Sequence, residues 1–171
     1  MITIWPVGIR LIHWIVAGAC VFNFWISEEG EIPHRYAGYL AAAVVVLRLF
    51  WGVFSSQPEL KLGSMWGAAR EVPVELKRLL SRQALSLTRG HSPLASPVML
   101  AMWGLVLALG VSGWMLGLDA FFGSELLEES HELCSHALQL LVGAHLMGIA
   151  HETITHRWPA WRAMIDGKKK I

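Results

Sequence analysis

Four stretches of this chain are each long and apolar enough to cross a lipid bilayer, and no other feature limits its fold as strongly. A span needs roughly 20 mostly apolar residues, within a range of about 17–25. The four cover residues 8–26, 34–54, 97–118 and 131–152. The third holds no ionisable side chain and is apolar on every face, whereas a helix of a soluble protein keeps a polar face. Only helices that satisfy their own backbone can stand in hydrocarbon in such a sequence. The expected fold is therefore all-α, an integral membrane four-helix bundle forming a single membrane domain over residues 1–171.

Composition narrows the function classes. The 171 residues are 54% hydrophobic and 16% charged, against about 25% charged in soluble domains. Disorder is excluded by that apolar share. Two cysteines, Cys20 and Cys134, cannot make a disulfide scaffold. Neither lies in a Cys-x-x-Cys-His run, so covalent c-type haem attachment is not expected. A net charge of +1 offers no basic field for nucleic acid.

The loops orient the spans. Residues 52–96 carry Lys61, Arg70, Lys77, Arg78, Arg82 and Arg89, and the tail carries Arg157, Arg162, Lys168, Lys169 and Lys170. The other two loops carry Glu28, Glu29 and Glu31, then Asp119, Glu125, Glu128 and Glu129. Lys and Arg mark the cytoplasmic side, so both termini are expected there. Trp25 and Trp114 fall at the outer span ends, and Trp5, Trp51, Trp158 and Trp161 at the inner ends, as an aromatic belt requires. The start of the chain, up to Ala17-Gly18-Ala19-Cys20, has the outline of a cleavable leader. His13 and Trp14 in its apolar centre argue against that reading. The long loop, about 55–96, is amphipathic over 64–81 and interrupted at Pro73. It reads as one or two short helices on the cytoplasmic membrane surface.

Ionisable residues inside spans are costly and point to function. Five histidines lie in or near the fourth span: His131, His136, His145, His151 and His156. His131–His136 and His151–His156 each flank an acid, but each pair is five residues apart, so the helix turns it by about 140°. A zinc-protease helix needs a spacing of four. His131 and His145 are fourteen apart, which is about 21 Å along one helix face. Two histidines so placed are what two stacked b-type haems need from one helix. By depth, His13 pairs with His145 on the cytoplasmic side, and His34 with His131 on the outer side. Imidazole is an axial ligand to haem iron, and two imidazoles fill both axial positions, which favours electron transfer over oxygen binding. Spacing alone leaves a rival, because His136 and His151 are also within about 60° of one face. His151 abuts Glu152 at the membrane exit, a depth that suits a ligand less well. His91, His136, His151 and His156 are read as surface residues.

Several motifs in order resemble the prokaryotic cytochrome b561 family, grouped with hydrogenase-type cytochrome b subunits. They are Arg10-Leu11-Ile12-His13-Trp14, His34-Arg35-Tyr36-Ala37-Gly38-Tyr39 and Leu47-Arg48-Leu49-Phe50-Trp51-Gly52. Gly90-His91-Ser92-Pro93 is similar to the family's Gly-His-Asn-Pro, with Ser92 in place of Asn. Residues 128–145 and the tail Arg162-Ala163-Met164-Ile165-Asp166-Gly167 also fit. The resemblance spans nearly the whole chain. It implies a multi-pass protein of the bacterial inner membrane with two non-covalent b haems on His13, His34, His131 and His145. It also implies a respiratory-chain role, with electron exchange between quinone and a redox partner.

Haem propionates are anionic and need cationic or hydrogen-bonding partners. Arg48 returns to the face of His34 at cytoplasmic depth, and Arg10 lies one turn before His13. Both are expected to hold the inner haem, and Arg35 the outer one. A quinone site is expected near Arg10, Trp14 and Arg48. Three functions then compete. The first is an electron conduit between quinone and a basic periplasmic protein, such as a c-type cytochrome or a hydrogenase subunit. The second is a superoxide:quinone oxidoreductase. The third is a non-redox structural membrane protein. Eight outer acids, counting Glu132, stand against Arg35 alone. That field repels an anion such as superoxide and attracts a basic surface, which favours the conduit.

Overall fold

A computed structural model describes residues 2–81 and 90–169. Arg82, Arg89 and Lys170, three of the residues that orient the chain, lie outside the described residues. Among the described residues, four helices are long and apolar enough to cross a membrane. They are α1 (Val7–Trp25), α2 (Ile32–Phe54), α5 (Ala95–Met115) and α6 (Glu125–His156). Between α2 and α5 lie the short α3 (Leu62–Ala69) and α4 (Val72–Leu80). Pro73 sits in the first turn of α4, where its missing N–H costs nothing.

Each long helix starts and stops for a local reason. Pro33 opens α2. Ser92 Oγ accepts the Ala95 amide at 3.2 Å at the start of α5, so serine serves that turn. α6 carries Glu125 and Glu128 in its first turn, favourable to the helix dipole. It ends where Arg157 turns left-handed (φ 48°) just before Pro159. α6 therefore begins six residues before the expected 131 and ends four after 152. Hydropathy sees only the part in hydrocarbon, while the hydrogen-bonded ladder runs on into both aqueous layers.

α1 packs on α2, α2 on α5, and α5 on α6. By contrast α6 approaches α1 and α2 only sparsely. One packed layer bridges that gap at mid-height: Ala19, Ala41, Val45, Val106 and Leu138. Leu138 is seven residues from both His131 and His145, so the layer separates the two ends of the gap by about 10 Å each way. Large apolar side chains such as Leu40, Leu47, Phe50, Leu140 and Met147 point outward. In water this would be an aggregation surface; in lipid it is the solvated face.

Both termini meet at one end of the bundle. β1 (Ile2–Thr3) pairs antiparallel with β2 (Lys168–Lys169). The Ile4 and Trp5 amides donate to the Gly167 carbonyl at 2.9 and 3.2 Å. Gly167 has φ +76°, and a Cβ there would lie 2.6 Å from the Trp5 carbonyl oxygen. Behind this clasp, α7 (Ala163–Asp166) packs Ala163 against Ile4, Trp5, Ile9 and Leu60. Trp5, expected in the aromatic belt, is instead 4% exposed and belongs to this core. The tail folds back over it and covers the indole.

Candidate haem-binding site

The bundle brings the histidines together in two facing pairs. The ring centres of His13 and His145 are 6.4 Å apart, and those of His34 and His131 are 6.5 Å apart. Each pair faces across the gap between α6 and the α1–α2 pair. His136 and His151 are exposed, and a ring nitrogen of His151 lies 3.4 Å from Thr155 Oγ1. The Thr155 hydroxyl is on the same helix.

At the acidic-loop end, a cleft of about 320 Å³ opens around His34 and His131. Its wall on α5 and just beyond is smooth because Gly110 and Gly113 of the helix and Gly117 after it line it. A Cβ on Gly113 would lie 3.3 Å from His131 Cε1, and one on Gly117 would collide with the Arg35 guanidinium. Glu29, Glu128 and Glu132 also line the cleft. His131 Nδ1 lies 2.7 Å from Ser112 Oγ, and His34 Nδ1 lies 3.3 Å from Ser27 Oγ. Asn23 Nδ2 donates to the His34 carbonyl at 3.1 Å. None of these three polar partners was identified from the sequence.

The end that gathers the termini is cationic. Arg48 is 2% exposed, donates to the Leu60 carbonyl at 3.2 Å, and lies over the Trp103 ring at 5.0 Å. Among the described residues its second terminal nitrogen is buried with no hydrogen-bond partner, as is Arg10 Nε. Arg10 also donates to the Ile165 carbonyl, and Trp14 Nε1 to that of Met164 at 2.8 Å. Lys169 donates to the Gly90 carbonyl at 3.0 Å and lies 3.8 Å from Glu152. His91 was expected at the surface; instead its Nδ1 is buried with no hydrogen-bond partner among the described residues, and the ring centre lies 4.8 Å from that of Trp5. Burial, then the positive charges of Arg48 and Lys169 and the neighbouring His145, push His91 down to about 3. Burial also lowers Lys169, against the raising effect of Glu152.

The model of one protein family, prokaryotic cytochrome b561, matches residues 4–167. The chain belongs to the prokaryotic cytochrome b561 family. No curated protein and no solved structure matches it. This cytochrome b561 is thus a membrane b-type cytochrome that binds haem and works in electron transfer.

Its residues fit that group. Metal–imidazole bonds are about 2.0–2.1 Å, so an iron shared by two imidazoles holds their ring centres about 6.3 Å apart. Both pairs of this cytochrome b561 stand within a few tenths of an ångström of that spacing. No set of three or more His, Cys, Asp or Glu converges among the described residues. Two imidazoles are all that a porphyrin-held iron asks of the protein. The glycine wall offers a flat surface for a ring system. The unpartnered nitrogens of Arg10 and Arg48 are suited to carboxylates, because a buried guanidinium without an anion is strongly unfavourable.

Proposed function

We propose that this cytochrome b561 holds two b haems, one on His13 and His145 and one on His34 and His131. It carries electrons across the bacterial inner membrane between quinone and a basic periplasmic redox protein, a c-type cytochrome or a hydrogenase subunit. The observation that carries this reading is the stacking of two facing imidazole pairs, at opposite ends of one membrane bundle. The basic loops and tail put both termini in the cytoplasm. The acidic cleft then faces the periplasm, with Glu29, Glu128 and Glu132 around the outer pair.

When bound, haem supplies a one-electron ferric–ferrous couple. The chain does the rest. His13, His34, His131 and His145 would hold the iron of the two haems, Arg48 and Arg10 would meet the propionates of the inner one, and Arg35 those of the one in the cleft. The layer around Leu138 keeps the two sites apart and dry. Quinone is assigned to the termini end, in a cleft of about 360 Å³ lined by Trp51, Phe54, Ser55 and Gln57 rather than by the Arg10, Trp14 and Arg48 expected from the sequence. Its apolar walls suit the ring, and its few polar groups suit the carbonyls.

The test is electron exchange in proteoliposomes. With the acidic face outward, a basic c-type cytochrome should exchange electrons with enclosed quinone, and the rate should fall with salt. Fast superoxide oxidation unaffected by salt would favour the oxidoreductase reading. A purified protein without a haem Soret band would leave only a structural role.

A further inference from the structure

We infer that the two haem sites hold unequal potentials, with the His34–His131 site the more reducing, and that Ser112 is a positioning residue that makes it so. The inference rests on the two-haem reading above. Ser112 Oγ lies 2.8 Å from the Ala108 carbonyl, one turn back on α5, and 3.3 Å from that of Leu109. A hydroxyl has one proton, and these carbonyls take it. With iron on Nε2, the neutral His131 ring would carry its hydrogen on Nδ1, and Ser112, its own proton on a carbonyl, would accept it at 2.7 Å. A histidine that donates its other N–H is a more basic ligand, which favours the ferric state and lowers the potential.

Ser27 repeats the arrangement more weakly on the opposite ligand. Asn23 gives its NH2 to the His34 carbonyl, so its Oδ1 faces the Ser27 hydroxyl at 3.4 Å. The Ser27 oxygen then accepts from His34 Nδ1 at 3.3 Å. Among the described residues, no hydrogen bond reaches the ring nitrogens of His13 or His145. Their near neighbour is the Trp14 ring, edge-on at 5.3 Å from His13.

Charge acts in the same direction. Around the outer pair, Glu29, Glu128 and Glu132 stand against Arg35. At the termini end, Arg10 lies one turn before His13 on α1, and Arg48, Lys169 and His145 all act by charge on the one His91 ring, while Glu152 stands 3.8 Å from Lys169 and Asp166 is turned to the Lys168 amide. Acids stabilise the ferric state and cations the ferrous one, more strongly where water is excluded. Ligand basicity and local charge thus agree on the order. Downhill transfer then runs from the acidic end to the termini end. A reduced protein donor at the acidic end loses one electron, and the acceptor at the other end gains it. Two such transfers with two protons convert one quinone to quinol.

The experiment is a potentiometric titration of the holoprotein in detergent, with its haem content measured alongside. Two one-electron waves are expected, separated by at least tenfold in reduction constant, about 59 mV. Ser112→Ala should raise the lower wave alone, and Ser112→Thr, which keeps the hydroxyl, should restore it. Lys169→Gln should lower the upper wave alone. Coincident waves, or a Ser112→Ala effect on the upper wave or on neither, overturns the inference. If Ser112→Ala fails to retain haem, the exposed double change Glu29→Gln/Glu132→Gln replaces it. That variant should also raise only the lower wave, and an unmoved lower wave overturns the ordering. A count of one haem defeats the two-haem reading itself and the ordering with it.

Discussion

Replacing His145 by Ala removes one imidazole from the pair at the termini end. The partner ring of His13 then faces open space, because the two centres are 6.4 Å apart and a methyl group bridges almost none of that. No other imidazole on α6 can substitute. His151 is six residues on, about 9 Å along the axis, and His136 is nine back, about 14 Å. The other pair lies about 21 Å away by helical rise. Substitutions more than about 7–10 Å apart act independently. His145→Ala should therefore halve the haem per chain and leave the remaining haem sensitive to Ser112→Ala. It should also lower the unfolding temperature in detergent. A ligand at about 1,000 times its dissociation constant stabilises the fold by about 4.1 kcal/mol, and that order of stabilisation is lost with the haem. Pyridine haemochrome counts with thermal unfolding read both effects. Retention of two haems by His145→Ala, or loss of one from His151→Ala, refutes the pairing.

Three further outcomes follow from other parts of the molecule. Glu28, Glu29 and Glu128 changed together to Gln should slow electron transfer with a basic partner at low salt and flatten its salt dependence, since such attraction is screened within about 8 Å at physiological ionic strength; stopped-flow rates against ionic strength check this. Gly167→Ala forces a side chain into a left-handed turn and against the Trp5 carbonyl, which should cost about 1–3 kcal/mol and expose the termini to protease. His91 is held near 3 in the folded chain against its ordinary 6.5, so unfolding takes up a proton and stability is lost as pH falls from 6.5 toward 3. His91→Phe keeps the ring against Trp5 and should weaken that acid loss, as read by unfolding at pH 7 and pH 4.5.

The four spans were legible because lipid leaves a chain so apolar little choice but the helix. The face-to-face histidines were legible because one number, the fourteen-residue interval, sets both depth and direction on α6. What the sequence concealed depends on which helices touch. A serine in a span returns its hydroxyl to the carbonyl one turn back in any helix. That Ser112 also meets His131, nineteen residues on, follows only from α5 lying against α6. His91 read as a surface residue because its neighbours in sequence are polar or helix-breaking. Its Nδ1 is buried at the clasp, where the Trp5 ring stands 4.8 Å away and Lys169, from the other end of the chain, acts on it by charge. The clasp itself has no periodic signature, since two-residue strands leave no pattern. Gly167 was the one available hint, a glycine placed just after a short helix.

On this reading the bundle holds two b haems, one between each imidazole pair. The most direct test is the haem content of the purified chain, taken by pyridine haemochrome against protein concentration, with an acid-acetone extraction and a low-temperature paramagnetic resonance spectrum. Two haems per chain, both extractable and both low-spin with two imidazole ligands, is the predicted result. One haem, none, or haem that stays attached to the protein would contradict it.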